Sequence, residues 1–465
     1  MVVSRASQFV SQIALAWLLL PDDFGLIGLA YSVMAFIWFL QQAGIGYVLI
    51  QRQKRFDRWS SPATWMTFVT GIVAAMVTLT AAPFAARFYG NELLIGVMAV
   101  LAAAIPFEAL TTVPQAKLYA QLRMRENASI EMGKVLCTTT MSIAFAWAGF
   151  GVFSFVLPRL IVAAVVLPVY WLVARPTFVL RPQLRLWRYL LSSVGWVTAT
   201  GLIGHLMSQG DYAILGRYLD EKSVGIYYLA FMLSSQTMML LTLNFGGIIL
   251  PTLAKLRNDS RRQVGAFLEI CSTLAMLSLP MCATLAVIAR PLVEVCFDER
   301  WLGVGPLLEW LAIGIGFRLV GHNGNYLLQG NGHWKKFFAV TCANAAVFLL
   351  TCYLGVRLGG SQGVAIGASG FFAVYGLTQL LISFPPGTDR RLSRCLAVYR
   401  DGLMVAAVAT AGTITIMLFL DLPAVAGLIV RSVTMIALSL LAARTLAPRT
   451  FQRVWGRVQQ GLLRR

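Results

Sequence analysis

Charged residues are scarce in this sequence. Asp, Glu, Lys and Arg make up 12% of the 465 residues, whereas a soluble domain typically carries about 25%. So few charges cannot cover a water-facing surface of this size, and hydrophobic residues make up 58% of the chain. Apolar runs of about 18–20 residues match a hydrocarbon layer of about 30 Å. They must be helical, because lipid offers the backbone no hydrogen-bond partner. The sequence therefore predicts an all-α integral membrane protein.

The sequence also lacks the motifs of catalysis and of metal binding. Its seven cysteines contain no CxxC pair and no histidine partner at metal-binding spacing, and five of them lie inside apolar runs. Cysteines in such runs behave as small hydrophobic residues. No Walker loop, hydrolytic triad or long Gly-rich phosphate loop occurs. These absences predict a protein that is not an enzyme, is not driven by ATP and carries no cofactor.

Membrane spans are predicted wherever an apolar run is bounded by turn residues or by charge. Breaks of this kind include Pro21-Asp22 and Gly359-Gly360. Residues 3–20 are expected to be the first span rather than a cleaved signal peptide, because no small-x-small cleavage site precedes Pro21. The predicted spans, about fourteen in number, are approximately 3–20, 24–46, 62–82, 93–113, 129–148, 152–174, 193–216, 224–250, 264–289, 302–327, 337–354, 362–384, 402–420 and 424–443.

Lysine and arginine residues concentrate in alternate gaps between the predicted spans. Of the 38 basic residues, 28 lie in one set of gaps, 6 in the other set and 4 inside spans. This distribution follows the positive-inside rule and predicts that both termini are cytoplasmic. It also accounts for the net charge of +19 without any nucleic-acid partner.

Two basic segments are predicted to lie in the plane of the lipid headgroups. One is Arg181–Tyr189, and the other is the cytoplasmic tail at residues 444–465. An amphipathic helix with a basic polar face binds at this level of the bilayer. The alternative for the tail is a solvated basic segment. In the tail, one helical face carries Phe451, Val454, Trp455, Val458 and Leu462, and the other carries Arg453, Arg457 and Arg464.

An internal repeat relates residues 19–55 to residues 219–255 at a constant offset of 200. Gly25 then pairs with Gly225, and Gly46 pairs with Gly246. Because six spans precede the second copy, the repeat is expected to be parallel and to place two six-helix lobes side by side. Transporter sites typically form near the membrane midplane where such repeats meet.

Three stretches resemble bacterial polysaccharide-transport (Wzx-like) flippases of the multidrug/oligosaccharidyl-lipid/polysaccharide superfamily. They are Leu18-Leu19-Leu20-Pro21-Asp22-Asp23-Phe24-Gly25-Leu26, Ser208-Gln209-Gly210-Asp211-Tyr212-Ala213-Ile214-Leu215-Gly216-Arg217 and Val224-Gly225-Ile226-Tyr227-Tyr228-Leu229-Ala230. The resemblance implies an N-lobe at 1–174, a C-lobe at 193–384 and an appended helix pair at 402–443 around a central cavity.

The resemblance also implies a function. Such proteins move a polyprenyl-diphosphate-linked oligosaccharide from the cytoplasmic to the periplasmic leaflet of the bacterial inner membrane by alternating access. The transported oligosaccharide is used in the synthesis of a capsule, an exopolysaccharide or the O-antigen of lipopolysaccharide. Polymerases and glycosyltransferases are the expected protein partners, and membrane lipid surrounds the chain.

Two arginines inside spans are the leading candidates for substrate binding. A charged side chain at the bilayer centre costs about 2.5–3.5 kcal/mol, so each needs a partner, water or a function. Arg159 follows Pro158 in span six, and Arg318 lies at a corresponding depth in span ten. The planar guanidinium binds phosphate with two parallel hydrogen bonds, which suits a diphosphate. The alternative is a structural ion pair with a carboxylate on a neighbouring helix.

Further polar residues in the spans complete the candidate site. Gln209, Asn323 and Asn325 are expected to contact the sugar. Asp211, Glu269 and Glu309 are expected to act in coupling to a proton or sodium ion, or in gating. Asp211 could instead form an ion pair with an arginine of the other lobe. Glu309 could instead lie at the hydrated periplasmic edge of the membrane.

Other charges in the spans have structural explanations. Glu108 is a weaker candidate, and Glu131 with Lys134, three residues apart, is expected to form an ion pair along one helix face. Arg431 is expected to extend its charge toward the headgroups, or to line a groove for the anionic lipid carrier.

Two other functions remain open at this stage. A cation-coupled multidrug exporter of the same superfamily is the first, although arginines in the cavity disfavour cationic drugs. A membrane polysaccharide polymerase or ligase is the second. The longest external gap, about residues 290–301, is short for the periplasmic loop that such enzymes use.

Overall fold

The computed structural model describes residues 2–42, 45–51, 56–179, 187, 195–256, 259–384, 390–420, 422–448 and 450–452. Within these ranges the chain is helical and contains no strand. The α-helices are α1 (Val2–Leu18), α2 (Pro21–Gln42), α3 (Ile45–Gln51), α4 (Phe56–Tyr89), α5 (Leu93–Ala120), α6 (Met124–Trp147), α7 (Phe153–Ala174), α8 (Gly195–Tyr218), α9 (Glu221–Lys255), α10 (Ser260–Cys296), α11 (Val304–Gly330), α12 (Trp334–Ser383), α13 (Arg391–Leu418) and α14 (Ala424–Leu446).

The all-α membrane class is confirmed. The predicted spans fall on the described helices, with the span 24–46 on α2 and the start of α3, and eight of the described helices are long and apolar enough to cross a membrane. Several helices extend beyond their predicted spans. Helix α4, for example, covers Phe56–Tyr89 where residues 62–82 were expected, because a helix need not end where the hydrocarbon layer does.

Helix α12 is a hairpin of two helices, as the sequence break predicts. The backbone leaves helical geometry at Gly359 and at Gly360, which has φ 58°, a conformation that glycine adopts without steric cost. The two halves then pack tightly, since a Cβ added at Gly355 would lie 2.6 Å from the Gly363 carbonyl oxygen.

The chain divides into two compact units, Met1–Gly225 and Ile226–Arg465. In the first unit, α5 packs against α4 and α7, α6 against α1 and α7, and α2 against α8. In the second unit, α10 packs against α11, α13 and α14, and α11 packs against α12. The expected lobe boundaries at 174/193 and 384/402 stay a prediction.

The first turns of α2 and α9 are in contact at Gly25 and Gly225, the two glycines that correspond to each other in the internal repeat. A Cβ added at Gly25 would overlap the Glu221 carbonyl oxygen, and one added at Gly225 would overlap the Pro21 carbonyl oxygen. Glu221 corresponds to Pro21 at the same offset of 200 residues, so the two copies make the same contact with each other. Reciprocal contacts of this kind are what a local two-fold axis produces.

A line of small residues joins α11 to the second half of α12. A Cβ at Gly314 would lie 2.6 Å from the Ser369 Cα, and one at Gly321 would lie 2.6 Å from the Gly376 Cα. Farther along, Ser383 Oγ donates to the Gly324 carbonyl at 3.0 Å. The seven-residue spacing of the contacts keeps one face of each helix turned toward the other. This close packing fixes the polar side chains next to it.

The predicted headgroup-plane segments lie almost entirely outside the described residues. Of the tail's apolar face, Phe451 is described, and it packs half buried against Ala442, Ala443 and Ala447 of the second unit. In Arg181–Tyr189 only Trp187 is described, and it packs against a core of the first unit that includes Phe56.

Candidate functional site

In the first unit, Arg159 forms an ion pair with Glu108. Arg159 Nε lies 2.7 Å from Glu108 Oε1, and Nη2 lies 3.0 Å from Oε2, so the contact is bidentate. Helix α5 supplies the carboxylate two residues after Pro106, and α7 supplies the guanidinium directly after Pro158. Tyr31 of α2 also interacts with the Arg159 side chain. Three helices therefore meet at this charge.

The position of Arg159 on its helix explains why it needs this partner. It shares a face with Val162, Val166 and Tyr170, which are buried and follow at spacings that keep one helical face. The Arg159 side chain is 26% exposed and that of Glu108 17%. The carboxylate lies on another helix, 51 residues away, so the structure contains the ion pair that was the alternative interpretation of Arg159. Its role in substrate binding stays a prediction.

Glu131 also has partners other than the predicted one. Its Oε1 accepts a hydrogen bond from the Tyr170 hydroxyl at 2.8 Å and from Gln115 Nε2 at 3.3 Å. No ion pair joins Glu131 to Lys134 in the described part of the chain, so that prediction was wrong. The donors on α5 and α7 satisfy the carboxylate without a cation.

Helix α8 carries the two polar residues of the motif that resembles the flippases. The Asp211 side chain is 0% exposed, and its Oδ1 accepts from the Tyr212 backbone N–H at 3.1 Å. Gln209 lies half buried, and its Oε1 has no hydrogen-bond partner among the described residues. Residues two positions apart on a helix do not face each other, so these two side chains do not form one ligand set. Their coupling and sugar-binding roles stay predictions.

In the second unit, amide side chains connect three helices. Asn325 of α11 accepts from Gln379 Nε2 of the second half of α12. Gln379 Oε1 in turn accepts from Asn344 Nδ2 of the first half of α12 at 3.1 Å. Asn325 Nδ2 also lies 3.3 Å from His322 Nδ1 and 3.4 Å from the Tyr375 hydroxyl. We call these five residues, Asn325, Gln379, Asn344, His322 and Tyr375, the amide network.

Arg318 lies on the same face of α11 as two members of the amide network. His322 and Asn325 follow it by four and seven residues, which places all three on one helical face. The Arg318 guanidinium carbon lies 4.7 Å from the centre of the Phe372 ring, a cation–π geometry. The second unit thus holds its mid-helix arginine against an aromatic face and beside neutral hydrogen-bonding groups.

Asn323 does not join this network. It is buried, and its Nδ2 donates to the carbonyls of Leu319 at 2.9 Å and Val320 at 3.1 Å in its own helix. Since its amide donors are already engaged, a sugar contact there would require these bonds to break. Its substrate-binding role stays a prediction, with less structural support than that of Asn325.

Glu309 forms an ion pair near the first turn of α11. Arg290 Nε lies 2.7 Å from its Oε1, and Nη2 lies 3.1 Å from its Oε2. The Arg290 side chain is 62% exposed, so the pair resembles the wet-edge alternative. Glu269 is half buried in α10. Coupling by Glu309 or Glu269 stays a prediction.

The sequence reasoning missed several residues of these two clusters. Glu108 was rated a weaker candidate than Asp211 and Glu309, and Tyr31, Phe372 and Gln379 were not considered. One signal was available for Glu108: it follows a mid-helix proline closely, as Arg159 does. The aromatic and amide partners carry no such signal, because they resemble ordinary residues of a packed helix.

Solved structures show which class of protein has this fold. The lipid II flippase MurJ, in an inward closed conformation, matches with a TM-score of 0.71 over 96% of this chain and 99% of that one, at 13% identity. An inward-facing multidrug resistance MATE family transporter of the MOP superfamily matches with a TM-score of 0.68 over 85% and 96%, at 17% identity. The chain therefore shares its fold with these two proteins.

The family follows from the sequence itself. Residues 14–306 match the family described as "Polysaccharide biosynthesis protein", and the chain belongs to that family. The resemblance to polysaccharide-transport proteins is thereby confirmed.

Curated relatives carry related names. The teichuronic acid biosynthesis protein TuaB of Bacillus subtilis is 26% identical over 61% of this chain and 60% of its own. The succinoglycan biosynthesis transport protein ExoT of Rhizobium meliloti is 23% identical over 66% and 63%. The lipopolysaccharide biosynthesis protein WzxC of Escherichia coli is 22% identical over 77% and 73%. The chain thus spans about three fifths of the length of the first two relatives.

Proposed function

We propose that the protein moves a polyprenyl-diphosphate-linked oligosaccharide from the cytoplasmic to the periplasmic leaflet by alternating access, for the synthesis of a surface polysaccharide. Its family and the names of its relatives support this, since those names refer to teichuronic acid, succinoglycan and lipopolysaccharide. The fold shared with a lipid II flippase supports it as well.

The observation that carries the proposal is the arginine beside the amide network. A lipid-linked sugar presents two kinds of group, an anionic diphosphate and neutral hydroxyls. Arg318 offers a cation. Asn325, two turns farther along α11, and Gln379, its hydrogen-bond partner on α12, offer amide donors and acceptors. Guanidinium binds phosphate oxygens with charge-assisted hydrogen bonds, and amides exchange hydrogen bonds with hydroxyls. A cationic drug would be repelled by Arg318, so the multidrug-exporter alternative is disfavoured.

Arg159 has a different part in this proposal. Its bidentate bond with Glu108 keeps the cluster neutral while no substrate is bound. A diphosphate that reaches this point competes with the carboxylate for the same two N–H groups. The ion pair would therefore open when the substrate binds and close again when it leaves, which suits a site that must release its ligand in each cycle.

Ion coupling in this proposal falls to Asp211. Its carboxylate is fully buried in α8, and an ionised carboxylate is costly away from water unless a proton or a cation neutralises it. A proton or a sodium ion bound there would provide the coupling. Replacement by Asn keeps the size but removes the charge. We expect Asp211→Asn to stop export at normal membrane abundance.

The orientation follows from the distribution of basic residues. We place the protein in the bacterial inner membrane with both termini in the cytoplasm. Glycosyltransferases that supply the lipid-linked unit and a polymerase that consumes it would be its partners. Reporter fusions at Arg262 and Arg87 test the orientation: the first should report cytoplasm and the second periplasm.

The central experiment compares two arginines of the second unit that each lie over an aromatic ring. Arg318 lies over Phe372, and Arg357 lies 5.7 Å from the Tyr353 ring centre near the hairpin bend. We expect Arg318→Ala to abolish polysaccharide export in a deletion strain at normal membrane abundance. Arg357→Ala should export normally. Arg318→Lys should restore part of the export, because it keeps the charge and loses the planar pair of donors.

Export by Arg318→Ala at the wild-type level would contradict the proposal. Loss of the protein from the membrane would show instead that Arg318 is structural. Export is measured as extracellular polysaccharide divided by the amount of protein in the membrane fraction, so that these two outcomes are separated.

A further inference from the structure

The second unit contains a groove of about 550 Å³ that is separate from the amide network. Helices α10, α11, α13 and α14 form its walls, close to the end where α13 is joined to α14. The walls are mostly apolar, with Val287, Trp310, Ile313, Ile414 and Met417 among the lining residues. Ile313 is 44% exposed and Ile414 51%. In a membrane protein, exposed apolar side chains of this kind face lipid, so the groove opens toward the hydrocarbon layer.

Two polar groups in this groove lack partners. The Arg431 guanidinium makes no ion pair or hydrogen bond with any residue that the structure describes. The Thr413 side chain is 0% exposed, and its Oγ1 has no hydrogen-bond partner in the described chain. Helical threonines usually donate to the carbonyl four residues earlier, as Thr415 and Thr434 do in the same helices. Thr413 is buried behind the wall, so Arg431 is the donor that the groove offers to a ligand with acceptor groups.

We propose that this groove binds an anionic glycerophospholipid, with one acyl chain along the apolar walls and the phosphate at Arg431. The volume suits a single acyl chain better than a long polyprenyl chain. Arg431 lies seven residues into α14, which is about 10 Å from the start of the helix. Its long side chain can extend back toward the headgroup level. Basic pockets between spanning helices are known to bind anionic headgroups.

Charge selects the phospholipid over a diphosphate carrier. Glu309 also lines the groove, and Arg290 already neutralises it. One positive charge, that of Arg431, is left to be matched, and a phosphodiester carries one negative charge. A diphosphate would bring additional negative charge close to the Glu309 carboxylate, and like charges at short distance repel.

Trp310 in the groove wall provides the test. Bromine atoms on an acyl chain quench the fluorescence of a nearby tryptophan, and subtracting the signal of Trp310→Phe isolates this residue. The full-length protein is reconstituted in vesicles of phosphatidylcholine with increasing fractions of brominated phosphatidylglycerol or brominated phosphatidylcholine. We expect brominated phosphatidylglycerol to reach the same quenching of Trp310 at a mole fraction roughly tenfold lower than brominated phosphatidylcholine. This ratio corresponds to a difference of about 1.4 kcal/mol in binding free energy.

The variants identify the groups responsible. Arg431→Ala should abolish the preference for phosphatidylglycerol, and Arg431→Lys should retain part of it. Thr413→Val should leave it unchanged, because the hydroxyl is buried and out of reach of the phosphate. Arg444→Ala is the matched control, because Arg444 lies in the last turn of the same helix and outside this groove.

Three results would overturn the proposal. The first is equal quenching by the two lipids in the wild-type protein, a comparison that stands even if a variant fails to fold. The second is loss of the preference in Arg444→Ala, which would indicate a general effect of charge. The third is displacement of brominated phosphatidylglycerol by polyprenyl phosphate at a lower mole fraction, which would assign the groove to the carrier lipid.

Discussion

The two units hold their mid-helix arginines in different ways. Arg159 in the first unit is bound at both ends of its guanidinium by Glu108, a charged partner on another helix. Arg318 in the second unit lies over the Phe372 ring and beside neutral amides. A close ion pair fixes geometry and is costly to break, whereas cation–π contacts and amides allow the arginine to change partners at lower cost. The comparison suggests that the first cluster has the greater effect on stability and the second the greater effect on ligand binding.

Removing Glu108 should have the largest effect on stability. Glu108→Ala takes away the carboxylate of a mostly buried pair, and breaking such a pair costs about 3–5 kcal/mol. We expect a strong loss of protein from the membrane and a lower midpoint of thermal unfolding in detergent, followed by fluorescence-detected size exclusion. Arg318→Met should lower the midpoint less, because the cation–π contact with Phe372 that it removes is weaker than a bidentate ion pair.

The double variant Glu108→Gln with Arg159→Gln is the control for that prediction. It removes both charges while keeping two groups that hydrogen-bond to each other, so abundance should return toward the wild-type level. If Glu108→Ala alone is as abundant and as stable as the wild type, the ion pair does not hold the first unit together. The contrast between the two units would then fail.

Separating α11 from α12 should have the next largest effect. A Cβ at Gly321 would lie 2.6 Å from the Gly376 Cα, so Gly321→Ala must push the two helices apart. Overpacking of this kind costs about 1–3 kcal/mol, and it also displaces Asn325 from Gln379. We expect the thermal midpoint and the export of polysaccharide to fall together.

A second glycine in the same unit gives the matched comparison. Gly370 has no heavy atom within 4 Å of an added Cβ, and alanine is favoured over glycine in a helix by about 1 kcal/mol. Gly370→Ala should therefore leave stability unchanged or raise it slightly. Equal losses in the two variants would mean that close packing at Gly321 has no special importance.

The helices themselves were predictable from the sequence, and their partners were not. Hydropathy located the apolar helices, and Gly359-Gly360 located the hairpin in α12, because these features depend on residues close together in the chain. The Arg159–Glu108 bond joins residues 51 positions apart, so its formation depends on which helices pack together. Nothing in a single sequence specifies that packing.

The two asparagines of α11 illustrate the same limit on a smaller scale. Asn323 and Asn325 were predicted to have one role because they lie in one turn of a helix. In the structure Asn323 bonds to its own helix, and Asn325 joins the amide network. The difference depends on which face of α11 meets α12, and the small residues at that seam fix this face. Sequence reasoning recognised polar residues in an apolar helix but not their direction.

The centre of the amide network should matter more than its end. Gln379→Leu removes the residue that links Asn325 to Asn344, so both half-buried amides lose that partner. Asn344→Ala removes only the terminal member. We expect export to be lost in Gln379→Leu and to fall only a few-fold in Asn344→Ala, at comparable membrane abundance. Equal export by the two variants would show that continuity of the network is unimportant.

The smallest effect on stability is expected at the exposed pair of Arg290 and Glu309. Because the Arg290 side chain is 62% exposed, Arg290→Ala should change stability by less than about 1 kcal/mol, and high salt should reduce even that difference. Glu309→Gln keeps the size of the side chain and a hydrogen-bonding oxygen but removes the negative charge. If the charge itself serves coupling or gating, export should fall several-fold in Glu309→Gln and stay near normal in Arg290→Ala, both measured per amount of protein in the membrane. Normal export by both variants would leave the pair as a surface contact at the membrane edge, and coupling in the proposed cycle would then rest with other carboxylates such as Asp211.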